Sequence, residues 1–289
     1  MAALPSVTPR QGLVAALLAV CCWSGFVLVS RLGGISVLTP YDTIALRYGV
    51  GALVLLPFLR RDRLWLNWRG LALALTGGIG YSVTVYLGFK YTSAIHAGVM
   101  LPGLIPFGAA LFCFLLLGER LSRVRSIGLL LIAAAGALML SNQDGDGHWL
   151  GDAWLLVAVV CWSLYTVLVR RWQVPPWTGA ITTAYLTALM FLPVYLLWLP
   201  QQLAAAPWPD LLLQGFYQGV IATVVAMLCY LRGVMGLGAS GMGALMALVP
   251  VLSGVAAVPL LGEALHWGEA LAMVLACLGA VLAAGIIKR

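Results

Sequence analysis

The stretch CCWSGFVLVSR runs from Cys21 to Arg31, and VVCWSLYTVLVRR runs from Val159 to Arg171. Each sets a Cys-Trp-Ser triplet, at 22–24 and 161–163, inside an apolar segment that ends in arginine. The triplets are 139 residues apart; Gly12 and Gly151 share that separation, as do Arg31 and Arg170. Further matches continue in order. Pro40 and Pro57 answer Pro176 and Pro193 at an offset of 136. Tyr86-Leu87 answers Tyr230-Leu231, Pro106 answers Pro250, and LGERL (117–121) answers LGEAL (261–265), all at 144. A single shared pair between apolar segments arises by chance. A collinear series with loop-sized changes of offset marks an internal duplication.

Around the triplets the chain is apolar almost throughout. Of 289 residues, 63% are hydrophobic and 9% charged, against about 25% charged in soluble domains. Runs near the roughly 20 residues needed to cross a bilayer fall at about 12–32, 40–59, 71–90, 95–117 and 124–141 in the first half. The second half gives about 151–172, 178–199, 211–232, 239–261 and 266–287. The expectation is an all-α membrane protein of ten transmembrane helices, forming a single membrane domain over 1–289, with repeat one at 12–141 and repeat two at 151–287. The first segment is too long for the apolar region of a signal peptide. Its near copy at 151–172 stands where no cleavable signal can, so it reads as a retained span.

Five spans is an odd number, so the second repeat enters the membrane from the opposite face. Transporters with inverted repeats bind substrate near the midplane where the repeats meet, and rock to expose it to each side in turn. The net charge of +7 fits this picture without a nucleic-acid partner. With the N-terminus cytoplasmic, 13 of the 16 basic residues fall on the inner side; Arg31 and Lys90 sit at outer ends, and Arg47 lies within a span. That bias is the positive-inside rule and places both termini in the cytoplasm. All six cysteines fall inside spans, where they behave as small apolar side chains, and no spacing suggests a metal site.

Several stretches resemble the drug/metabolite transporter superfamily, in particular its ten-span EamA-type members. They are Ala45-Leu46-Arg47, KYTSAIHAGVMLPGLIP (90–106), LGERLSRVRSIGLLLIAAAG (117–136) and LGEALHWGEALAMVLACLGA (261–280). Within that group the abundant tryptophan and tyrosine are most similar to aromatic amino acid exporters of the YddG type. The resemblance implies a transporter of the bacterial inner membrane that exports amino acids or related metabolites, working as a monomer with the lipid bilayer and a small-molecule substrate as its partners and no cofactor.

The distribution of aromatic and polar residues singles out candidate positions. Trp usually sits at the membrane interface, where its N–H is wet, yet Trp23 and Trp162 are expected near the midplane. Each fills a helix contact or lines a cavity. With them come Ser24, Tyr81, Met100, Ser163, Tyr217 and Gln218 as candidate substrate-binding residues. Gln214 and Gln218 share a helix face, which must meet protein or water because an unpaired amide in lipid is costly. Over 126–140 and 270–287, spans five and ten carry no aromatic residue, and span ten repeats Ala272, Ala276, Ala280 and Ala284. Small-residue stripes favour close helix packing, so these two read as scaffold.

Candidate hinges are Gly77 and Gly78, with Pro106 and Pro250, which together with Pro102 are expected to interrupt spans four and nine. Arg47 either binds a carboxylate or serves structure, snorkelling or pairing with Asp42. The acidic residues, Asp42, Asp62, Glu119, Asp144, Asp146, Asp152, Asp210, Glu263 and Glu269, fall at helix ends or loops, and His96 lies near an outer helix end. No nucleophile–base pair or phosphate loop is convincing, so an enzyme is not expected. The favoured reading is a carrier of small neutral amino acids, aromatic and large aliphatic. The alternative is a proton-coupled exporter of drugs or lipophilic metabolites, which would want a buried carboxylate.

Overall fold

The computed structural model describes residues 7–61, 64–118, 122–141 and 148–283. The expectations for Asp62, Glu119, Asp144, Asp146 and Ala284 lie outside the described residues. Ten helices follow in chain order: α1 (Pro9–Ile35), α2 (Pro40–Leu59), α3 (Trp68–Tyr91), α4 (Ala94–Leu117), α5 (Arg123–Ser141), α6 (Trp149–Arg171), α7 (Trp177–Trp198), α8 (Trp208–Gly238), α9 (Gly241–Leu261) and α10 (Trp267–Ala283). Among the described residues there is no strand. Nine of these helices are long and apolar enough to cross a membrane, and the tenth has 17 described residues. Five helices precede the 142–147 segment and five follow it, so the repeats run in opposite directions.

Local sequence sets the helix ends. Thr8 caps α1 and Thr39 caps α2, each through a capping box with Gln11 or Asp42 and with proline as the first helical residue. The LGE motif shared by the repeats has a backbone cause. Gly118 and Gly262 take φ of 69° and 68° and end α4 and α9 in the left-handed conformation, which costs glycine nothing and other residues strain.

Helices pack in pairs that respect the duplication. α1 lies along α8 as α6 lies along α3; α2 meets α7, and α5 meets α10. α4 and α9 touch each other and stand between the α5/α10 pair and the α1 and α6 helices. The α5/α10 crossing is close: a Cβ on Gly128 would come within 2.6 Å of the Gly279 carbonyl oxygen and the Ala283 nitrogen. Ala272 and Ala276 are buried there. Tryptophans at helix ends face outward, Trp198 at 74% and Trp267 at 91% exposure, as expected of an interfacial belt. Trp23 and Trp162, in mid-helix, are half-buried.

Two helices are wound differently in their middles. α3 is π-helical over Ala74–Gly80 and α8 over Tyr217–Val225, corresponding places in the two repeats. π-turns inside α-helices concentrate at functional sites. The prolines act unequally. α9 tightens just before Pro250, with Ala247 and Leu248 bonding three residues back to Ala244 and Leu245. α4 runs unbroken through Pro102 and Pro106. The expected interruption of span four is therefore not met: the helix holds its course, and beside Pro106 the carbonyl of Ile105 takes a bond from Ser163.

Candidate functional site

The triplets sit in two aromatic groups. In one, Trp23 lies 5.4 Å from Tyr230 between ring centroids, and the Tyr217 hydroxyl donates to the Cys22 carbonyl at 3.0 Å. In the other, Tyr81 lies 4.6 Å from Trp162, and Trp162 lies 5.1 Å from Tyr165. The π-turn of α3 makes room for this second group, since the face of Gly77 is pressed against the Tyr165 ring where a side chain would collide. The structure thus brings Tyr81 and Trp162 together and places Tyr217 beside the first triplet, while Trp23 and Trp162 belong to different groups.

The remaining sequence candidates are deeper. Ser24, Met100, Ser163 and Gln218 are buried. Ser163 donates to Ile105, and Ser24 is buried with no hydrogen-bond partner. Of the hinge candidates, Gly77 and Gly78 lie in the π-turn of α3, Pro106 in continuous helix, and Pro250 at the start of the second half of α9.

A buried polar network joins α1, α2, α3 and α8. Arg47 donates to the Tyr86 hydroxyl at 3.2 Å, and Tyr86 donates to Gln218 Oε1 at 3.0 Å. Gln218 Nε2 reaches Ser30 at 3.0 Å and Gln214 Oε1 at 3.3 Å, and Gln214 Nε2 donates to the Val29 carbonyl at 2.7 Å. The glutamine face found in the sequence is therefore met by protein groups. Arg47 is 8% exposed, with its guanidinium carbon 5.3 Å from the Phe26 ring centroid and 5.5 Å from that of Tyr48. The sequence option of an Arg47–Asp42 pair does not hold. Asp42 caps its own helix through Thr39 and is taken by the Tyr195 hydroxyl and the Gln202 backbone.

One end of the bundle, the face carrying Arg31, is knitted by charge. Arg31 Nε meets Glu263 at 3.3 Å and Arg31 Nη1 donates to the Phe89 carbonyl at 2.8 Å. The Glu263 carboxylate also accepts the backbone N–H groups of Ala94 and Ile95, so it caps α4. Deeper in, His96 Nδ1 stands 3.1 Å from Asp152 and Nε2 3.5 Å from Glu269, and Thr92 donates to Asp152 at 2.9 Å. Asp152 is 0% and Glu269 7% exposed. Carboxylates at helix ends were not expected to be buried. They are, with Thr92 of the α3–α4 turn against Asp152 and His96 of α4 against both carboxylates. His96 and these partners were missed because position along a helix says nothing of what covers it.

The comparisons with known proteins agree with this architecture. The EamA-like transporter family model matches residues 10–141 and again 149–285. The uncharacterized transporter YyaM of Bacillus subtilis is 26% identical over 86% of this chain and 86% of its own length. An uncharacterized transporter of Clostridium kluyveri is 22% identical over 84% and 83%. A solved crystal structure superposes with a TM-score of 0.64 at 24% identity, covering 95% of this chain and 96% of that one, which shows the fold alone.

Proposed function

The chain belongs to the EamA-like transporter family, a multi-pass membrane transporter, and from that premise we propose that it carries small neutral amino acids, aromatic and large aliphatic, by alternating access. The observation that carries this reading is the Tyr81–Trp162–Tyr165 wall set beside a hydrogen-bonding network built from both repeats. Aromatic faces select an apolar side chain by packing, and the polar groups receive a short zwitterion. Trp23, Ser24, Met100, Ser163 and Tyr217 complete the proposed lining. The π-turn at Gly77 and Gly78, with the tightened turn before Pro250, supplies the proposed bending points. Likeness to aromatic amino acid exporters supports export, and the basic bias supports a bacterial inner-membrane protein, working as a monomer, with both termini cytoplasmic. The Arg31 face is then the outer one, and this conformer is closed to the outside. The protein is read as a carrier that makes and breaks no covalent bond.

The test is transport by purified protein in liposomes, with radiolabelled phenylalanine, tryptophan, leucine and methionine, with and without a proton gradient. Downhill flux without a gradient is the expected result. A second reading has an observation of its own: the buried Asp152–His96–Glu269 group supplies carboxylates that a proton-coupled exporter of lipophilic compounds would use. Flux of lipophilic cations that requires an imposed proton gradient, with no amino acid flux, would replace the first reading by the second.

A further inference from the structure

We propose that Arg47 is the anchor for a carboxylate on the transported molecule, making the cargo an organic acid group joined to an apolar or aromatic body. This rests on the reading that the network around Arg47 borders the substrate site.

Arg47 is a buried cation without an anion. Among the described residues no carboxylate pairs with it: the ion pairs are those of Arg31 with Glu263 and of His96 with Asp152 and Glu269. Asp42, five residues away in the same helix, is spent on Thr39, Tyr195 and Gln202. A guanidinium has five N–H donors in a planar fork. One nitrogen donates to Tyr86, and Nε is buried with no partner. Rings of Phe26 and Tyr48 flank the charge, which eases desolvation but neutralises nothing. The network around it is already committed: Tyr86 gives its proton to Gln218, and Tyr48 is joined to Ser82 at 2.8 Å. What remains is a buried charge with an unpartnered N–H donor, Nε.

The duplication has no second copy of this residue. The position matching Arg47 at the offset of 136 is Thr183, so the second repeat builds the same helix without a cation. A buried charge is costly unless paired, and an anion arriving with the cargo would pair it. The fork of arginine matches a carboxylate with two parallel bonds. A single such group suits a monocarboxylate better than a doubly charged phosphate.

The experiment uses the full-length protein in liposomes with four probes of one shape: phenylalanine, 3-phenylpropionate, phenylalaninamide and phenethylamine. Flux and ligand-induced thermal stabilisation are both read. Wild type should favour the acids over the amide and amine by at least tenfold. Arg47→Gln should lower that preference at least tenfold, and Arg47→Lys, which keeps the charge but loses the fork, should fall between. A merely structural Arg47 would change stability or overall flux while leaving the acid-to-amide ratio as it was, and that result overturns the proposal. If Arg47→Gln does not yield monodisperse protein, the ratio in Arg47→Lys decides: an unchanged ratio overturns the proposal. The two readings fail separately. Arg47-dependent handling of 3-phenylpropionate but not phenylalanine keeps the carboxylate anchor and removes the amino acid reading. Phenylalanine flux with an acid-to-amide ratio indifferent to Arg47 does the reverse. Wild type that moves and binds none of the acids overturns the anchor.

Discussion

Two residues show how far side-chain chemistry could be read from the chain. Trp162 was legible, because a mid-span tryptophan repeated at Trp23 is unusual; its contacts with Tyr81 and Tyr165 follow from that place. Trp162→Ala should reduce flux at least tenfold in liposomes, whereas Trp198→Ala, at an exposed helix end, should leave it within about twofold. Equal effects would place the aromatic wall away from the path. His96 was not legible, since nothing in its surroundings in sequence brings Asp152 or Glu269 to it. Having a carboxylate at each ring nitrogen suits an imidazolium, both of whose nitrogens donate. Removing one partner of a buried ion group leaves the other charge uncompensated, at about 3–5 kcal/mol. His96→Ala should therefore lower the melting temperature in detergent markedly. Asp152→Asn, which keeps a hydrogen-bonding amide beside Thr92, should lower it less. An unchanged melting temperature in His96→Ala would mean that the three side chains are not coupled.

Helices were the easiest scale to read from sequence, and their interruptions the hardest. Apolar length gave the spans, and the LGE repeat gave two matching helix ends with their glycine caps. The π-turn of α3 was half visible as the glycine cluster at 77–80, but its partner in α8 spans Tyr217–Val225, with Gly219 its only glycine. A π-turn depends on what the widened turn packs against, and that is not written in the helix itself. Proline misled in the other direction: Pro106 and Pro250 are equivalent in sequence, yet only α9 tightens beside its proline. The small-residue stripe was the more dependable signal. Gly128 sits where a Cβ would press on the α10 backbone, at 2.6 Å from Gly279 oxygen and Ala283 nitrogen. Backbone cannot rotate away as a side chain can, so Gly128→Ala should force α5 and α10 apart and cost about 1–3 kcal/mol. A melting curve in detergent reads this directly; a variant as stable as wild type would show that the crossing is looser than the structure has it.

At the scale of the whole molecule, the inverted repeat is legible in the sequence while the difference between its two ends is not. In the charged closure at the Arg31 face, Arg31 and Glu263 have sequence counterparts in Arg170 and Glu119, so that pair belongs to both repeats; the buried acid group beneath it does not. The positions matching Asp152 and Glu269 in the other repeat are Leu13 and Arg125, so the acid groups have no counterpart there. Glu263 is the joint of this closure, holding Arg31 of α1 and the first two N–H groups of α4 at once. Its removal should free α1, α4 and α9 at that end and raise the share of molecules open there. Native Cys22, half-buried beside Trp23 and bonded through its carbonyl to Tyr217, is a reporter already in place. In a variant retaining Cys22 as its only cysteine, a membrane-impermeant thiol reagent applied outside intact cells should label it slowly. Adding Glu263→Gln should speed that labelling at least fivefold, while labelling from the inside falls or stays level. Asp146→Cys should be labelled from outside and Ser122→Cys should not, which fixes the side on which the reagent acts. With that side fixed, an outside rate unmoved by Glu263→Gln would show that the Arg31 face is held shut by packing of the helices and not by its ion pair.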